Sequence, residues 1–238
     1  MNYIIVDRSE YKVELLLQQC KLTPQVRNLF HKAINDGKSK FKEVTSLIPN
    51  TITKKHVSPL QHDIINNEIR NSVDLNKDLN LEVIPTKSGN HEYIYVRDNN
   101  RNISIVICRL PASRKIFTPS KYRGEFSSTN FDKLIQLGIP EELIVDSDYQ
   151  PSLNFPEENI HFGIIIFYDP NKEIIYEGAL KPSQHDWIYK EKIIYTPLEN
   201  LIPTEKVIKT NINNENEIPL KFHNIFESDE DIEINLKI

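Results

Sequence analysis

The stretch Asn159–Lys181, NIHFGIIIFYDPNKEIIYEGALK, constrains the fold more than any other part of the chain. Its first half is apolar on both faces, with Phe162, Ile164, Ile166 and Tyr168 on one and Gly163, Ile165 and Phe167 on the other. A strand without a polar face has to be covered on both sides, so it belongs in the interior of a sheet. After a turn at Asp169–Lys172 the second half returns antiparallel. It alternates, with Ile174, Tyr176 and Leu180 on one face and Glu173 and Glu177 on the other.

The first third of the chain has helical periodicity. Ser9–Lys21 places Val13, Leu16, Leu17 and Cys20 on one side. Thr23 and Pro24 mark a helix start, the threonine as cap and the proline where a missing N–H is harmless. Val26, Leu29, Phe30, Ala33 and Ile34 then follow the helical template, and Gly37 is expected to end the helix. A shorter helix is expected over Ser39–Ile48, which makes Pro24–Ile48 a candidate helix-turn-helix. Ser58, Pro59 and Gln61 open a third helix that reaches about Val73.

From Leu81 the period becomes that of strands. Glu92–Arg97 and Ile103–Cys108 form a hairpin around Asp98–Asn102, whose D-x-N-(R/K)-x-I turn recurs at Asp169–Ile174. Asp and Asn favour such turns because their side chains bond nearby backbone. Thr129 and Asp132 are expected to start a short helix ending at Gly138. Trp187–Tyr195 alternates with Trp187 and Tyr189 on one face, and Val207–Ile212 reads as an edge strand. The predicted class is α+β: a helical N-terminal region over 1–75, a mainly antiparallel sheet domain over 81–222 with hairpins at about 92–108 and 160–180, and an acidic C-terminal tail over 223–238.

The N-terminal MNYIIVDRSEYK lacks the apolar core of a secretory signal, and no apolar run approaches the roughly 20 residues of a membrane helix. Cys20 and Cys108 are far apart, each at an apolar position, and read as buried free thiols. These features predict a cytoplasmic protein without membrane contact. The abundance of Ile, Asn and Lys suggests a bacterial or phage source. A net charge of −5 leaves nucleic-acid partners open, because local patches decide such contacts.

The strongest charged feature is Arg109–Arg123, RLPASRKIFTPSKYR, which carries Arg109, Arg114, Lys115, Lys121 and Arg123 and no acid, with Phe117 and Tyr122 interleaved. Cations neutralise phosphates and aromatic rings stack on bases; a solvated basic loop is the plainer alternative. Lys40 and Lys42 on the second helix of the candidate helix-turn-helix join this set as candidate nucleic-acid contacts. A catalytic alternative combines Glu177 with the His185–Asp186 pair, since loops at strand ends often carry catalytic groups. There is no phosphate-binding glycine loop and no Cys/His zinc spacing, so no metal ligand and no cofactor is assigned. The leading expectation is a binding or regulatory protein associated with nucleic acid, or with a nucleic-acid-handling protein, without catalysis of its own. The alternatives are a metal-dependent hydrolase or nuclease using Glu177, His185 and Asp186, and a protein–protein adaptor acting through the acidic tail.

Overall fold

The structure is a computed structural model that describes residues 8–47, 57–88, 91–110, 115–145 and 160–197. All of these lie in the first of two units, Met1–Ile202. Arg114, the segment 146–154, the edge strand expected at 207–212 and the tail 223–238 fall outside the described residues.

Three helices come first: α1 (Arg8–Cys20), α2 (Pro24–Ser46) and α3 (Val57–Leu75). A 3₁₀ turn at Lys77–Leu79 leads into β1 (Leu81–Ser88), β2 (His91–Asp98) and β3 (Ile103–Arg109). Then come α4 (Lys121–Gln136), the single turn α5 (Glu141–Ile144), β4 (Phe162–Tyr168), β5 (Ile175–Leu180) and β6 (Trp187–Lys192). The six strands form one sheet in sequence order. β1–β2–β3 and β4–β5–β6 are antiparallel meanders, and β3 and β4 pair in parallel across the α4–α5 connection. The fold is therefore α+β, with helices first and a mainly antiparallel sheet after them.

The strand without a polar face, β4, lies inside the sheet and is buried at every position. On one face Phe162, Ile164, Ile166 and Tyr168 join a cluster with Phe30, Ile34, Ile65 and Ile69 of α2 and α3. On the other, Ile165 and Phe167 pack with Phe117 and, at its edge, Tyr122 and Phe126 of α4. Helices and strands thus share one core across the change from helical to strand periodicity. Burying one such side chain stabilises by about 1.5–3 kcal/mol. At Gly163 an added Cβ would run into the Phe126 carbonyl, so glycine lets α4 lie directly on β4. Asn130 of α4, fully buried, accepts from the Gly163 amide at 2.6 Å and donates to the Gly163 and Leu180 carbonyls at 3.1 and 3.2 Å.

Several local expectations change. Thr23 does cap α2, its hydroxyl accepting from the Val26 amide at 3.3 Å. However, α2 does not stop at Gly37. It continues to Ser46, so the two expected helices are one and the helix-turn-helix is absent from Pro24–Ser46. The reason is packing: a Cβ on Gly37 would lie 2.8 Å from the Ile65 Cα, so glycine serves the close approach of α2 to α3. Likewise α4 starts at Lys121, not Thr129, whose hydroxyl donates to the Phe126 carbonyl within the helix. A register shift between Ala179 and Leu180 pairs Ala179 with Tyr189 but Leu180 with Trp187. The bulge puts Trp187 on the opposite face from Tyr189, with Leu180 and Phe167.

The two Asp-Asn turns behave as their chemistry suggests. Asp98 Oδ1 accepts from the amides of Asn100 and Arg101 at 3.1 and 3.2 Å, and Asp169 Oδ1 from that of Asn171 at 2.7 Å. Arg101, carried on the first turn, donates to the carbonyls of Gln19 and Lys21 at the end of α1, where a cation also interacts favourably with the negative end of the helix dipole. Cys20 and Cys108 are buried and unbridged, and burial pushes the Cys20 thiol up to about 11.

Candidate anion-binding site

Because β3 and β4 are parallel, their C-terminal ends lie side by side, with Arg109 paired to Tyr168 in register. The β4–β5 turn follows at once. Above this end stand the second half of α2 and the start of α3. Between them is a pocket of about 500 Å³ lined by Lys38, Lys42, Arg109 and Lys172, with Phe41 and Ser58 among its walls.

Lys38 is the deepest cation, 7% exposed. Its Nζ donates to the Lys172 carbonyl at 2.7 Å and stands 5.3 Å above the Tyr168 ring. Burial lowers its pKa, against a partial pull upward from Asp169 and Glu173. Lys42 lies one turn further along α2, and Arg109 is anchored by donating to Ser58 Oγ at the first turn of α3. Among the described residues Glu173 is the one carboxylate on the pocket wall. Among the described residues, too, none of the four cations forms a salt bridge. Four cations against Glu173 on the wall and the nearby Asp169 leave the pocket net positive on an acidic chain.

The expected nucleic-acid residues divide. Arg109 and Lys42, 67 positions apart, meet in the pocket. Lys40 points elsewhere and pairs with Glu68 of α3 at 2.7 Å. Lys115 and Lys121 are exposed near α4, the Lys115 carbonyl accepting from Trp187 Nε1 at 3.3 Å. Arg123 lies over the rings of Phe117 and Tyr122 and donates to the Thr118 carbonyl at 2.6 Å, which fixes the segment ahead of α4. Arg114 is outside the described residues.

The structure does not bring the three candidate catalytic residues together. Glu177 is fully buried on the α2 side of β5. Its Oε2 accepts from Arg27 Nε at 3.0 Å and its Oε1 from Arg27 Nη2 at 2.6 Å. The same Nη2 reaches Glu191 at 2.9 Å, and Glu191 reaches Lys21 at 2.6 Å. Burial raises the Glu177 carboxyl above its ordinary value, with Arg27 pulling the other way. His185 and Asp186 are exposed in the β5–β6 turn, where Asp186 Oδ1 accepts from the Trp187 amide at 2.8 Å. Glu177 is thus one strut of an ion network, and sequence reasoning alone misses its partner Arg27, while Lys38 is visible only as a cation at the start of the expected second helix of the helix-turn-helix and not as a buried one. The signal available for both is a helical one: Arg27, Ile34 and Lys38 recur at spacings that keep them on one face of α2.

Among the described residues no group of three or more His, Cys, Asp and Glu side chains is placed to hold a metal ion, and no helix is long and apolar enough to cross a membrane. No protein-family model, no curated protein and no solved structure matches the chain.

Proposed function

We propose that this protein is a non-catalytic binding module that holds nucleic acid through its phosphates at the Lys38–Lys42–Arg109–Lys172 pocket. The observation that supports the reading is the convergence of Arg109 and Lys42 with two further cations at one concave site, none of the four salt-bridged among the described residues. Cations that have no carboxylate partner keep their charge available to an anion, whereas paired ones do not. Phe41 adds a ring on the same wall, suited to stacking on a base. A regulatory role in a reducing compartment fits the two buried free thiols.

The test is titration of a short single-stranded oligonucleotide with the full chain at several salt concentrations. Lys42→Ala and Arg109→Ala are each expected to weaken binding and to reduce the salt slope by about one unit for each phosphate-neutralising cation removed. Lys77→Ala, on the exposed 3₁₀ turn, serves as control. An equal weakening from Lys115→Ala combined with Lys121→Ala would move the binding surface to the α4 side. No binding of DNA or RNA at low salt would overturn the reading.

A further inference from the structure

We propose that the pocket takes a terminal phosphate monoester in preference to an internal phosphodiester, so that the protein recognises the phosphorylated end of a strand. The inference rests on the pocket being a phosphate site and adds which phosphate it is. Its least exposed cation, Lys38, is 7% exposed, and the exposed Lys42, Arg109 and Lys172 line the same pocket. An internal phosphate is flanked by sugars on both sides and offers one negative charge. A terminal monoester has a single attachment, three acceptor oxygens and a charge of about −1.5 to −2 near neutral pH, so it gains more from several cations converging on one concave site.

The pocket carries donors for these oxygens. An ammonium has three protons, and for Lys38 the described residues supply one hydrogen-bond acceptor, the Lys172 carbonyl. Lys42 and Lys172 bring point charges to the rim, and Arg109 a planar fork already steadied by Ser58. The first turn of the 19-residue helix α3 faces the pocket through Ser58, adding its positive dipole end. A volume of about 500 Å³ lies within the range of about 300–1,000 Å³ that small-ligand sites occupy, enough for a terminal nucleotide with its base against Phe41.

The experiment compares a 5′-phosphorylated oligonucleotide of about ten nucleotides, a length within reach of one binding module, with its 5′-hydroxyl counterpart on the full chain. The phosphorylated strand should bind on the order of tenfold more tightly, the worth of one added charge-assisted hydrogen bond. Lys38→Met keeps the packing stem over Tyr168 and should erase the difference. Since Lys38 is buried, the exposed pair Lys42→Ala with Lys172→Ala is measured beside it and should also shrink the difference. A nucleoside 5′-monophosphate should compete and the free nucleoside should not. Equal affinity for both ends, or a preference that survives both variants, would overturn this inference while leaving the nucleic-acid reading standing. Binding of the monophosphate with neither strand bound would assign the pocket to free nucleotides and overturn the strand end. Failure of every ligand would overturn both readings.

Discussion

Lys21 and Lys38 are both nearly buried ammonium groups, 5% and 7% exposed, flanking and within the same helix α2. Around Lys21 the charges are matched. Burial pushes its pKa down, but Glu14 at 2.8 Å and Glu191 at 2.6 Å more than reverse this, and the pKa is raised. Arg27, half-buried beside it, is held by Glu177 and Glu191. Eleven residues on, about three helical turns, Lys38 meets a carbonyl and a ring face but, among the described residues, no salt-bridging carboxylate, and its pKa is lowered. Removing a charge from water costs several kcal/mol unless it is paired. At one end α2 meets that cost with carboxylates from β5 and β6, which fastens the helix to the sheet. At the other end it does so only in part, leaving a positive site that an incoming anion completes.

The largest effect follows from breaking the matched end. Arg27→Ala leaves Glu177 buried without its partner and should destabilise by about 3–5 kcal/mol in denaturant unfolding. Arg27→Met with Glu177→Met removes both charges and should cost far less. If the double variant is as unstable as Arg27→Ala, the network stabilises through more than charge matching.

A smaller effect belongs to the point where α2 crosses α3. Gly37→Ala inserts a Cβ 2.8 Å from the Ile65 backbone, so the helices have to separate, at roughly 1–3 kcal/mol. It should also weaken anion binding, because Gly37 immediately precedes Lys38. Unchanged binding would show that the pocket does not depend on this crossing.

How much of the molecule is legible in its sequence depends on the range of the interaction. The both-sides-apolar β4, the Thr23–Pro24 start and the two Asp-Asn turns are set by residues close in sequence, and they appear as expected. Gly37 misleads because a glycine after an apolar helical run looks the same whether it ends the helix or admits a neighbour. Trp187 falls on the face opposite to the expected one because one bulge inverts a period-two pattern. Of the site, Arg109 and Lys42 are visible as cations, but their meeting requires the parallel β3–β4 pair, which no local pattern announces. Asn130, the buried tie between α4 and two strands, carries no sequence signal beyond its position on the inner face of a helix.

The smallest expected effect is pH-dependent and lies beside the unmatched end. Burial, then the nearby Lys38, lowers the pKa of His31 from 6.5, with Glu173 acting the other way. The unfolded chain therefore takes up this proton first. The contribution to stability is present above the ordinary histidine value and is lost as pH falls through the folded one. His31→Gln should reduce the drop in melting temperature between about pH 7.5 and about pH 5.5. An identical drop in the variant would assign the acid sensitivity to other groups.

The central claim, that the matched end of α2 is structural and the unmatched end is a site, is tested most directly by thermal unfolding with added inorganic phosphate. An anion that binds the folded state raises its melting temperature in proportion to the logarithm of its concentration above Kd. The wild-type chain and Arg27→Met with Glu177→Met should both show that rise, and Lys38→Met should not. A rise of equal size in Lys38→Met, or its absence in the Arg27–Glu177 double variant alone, would contradict the account.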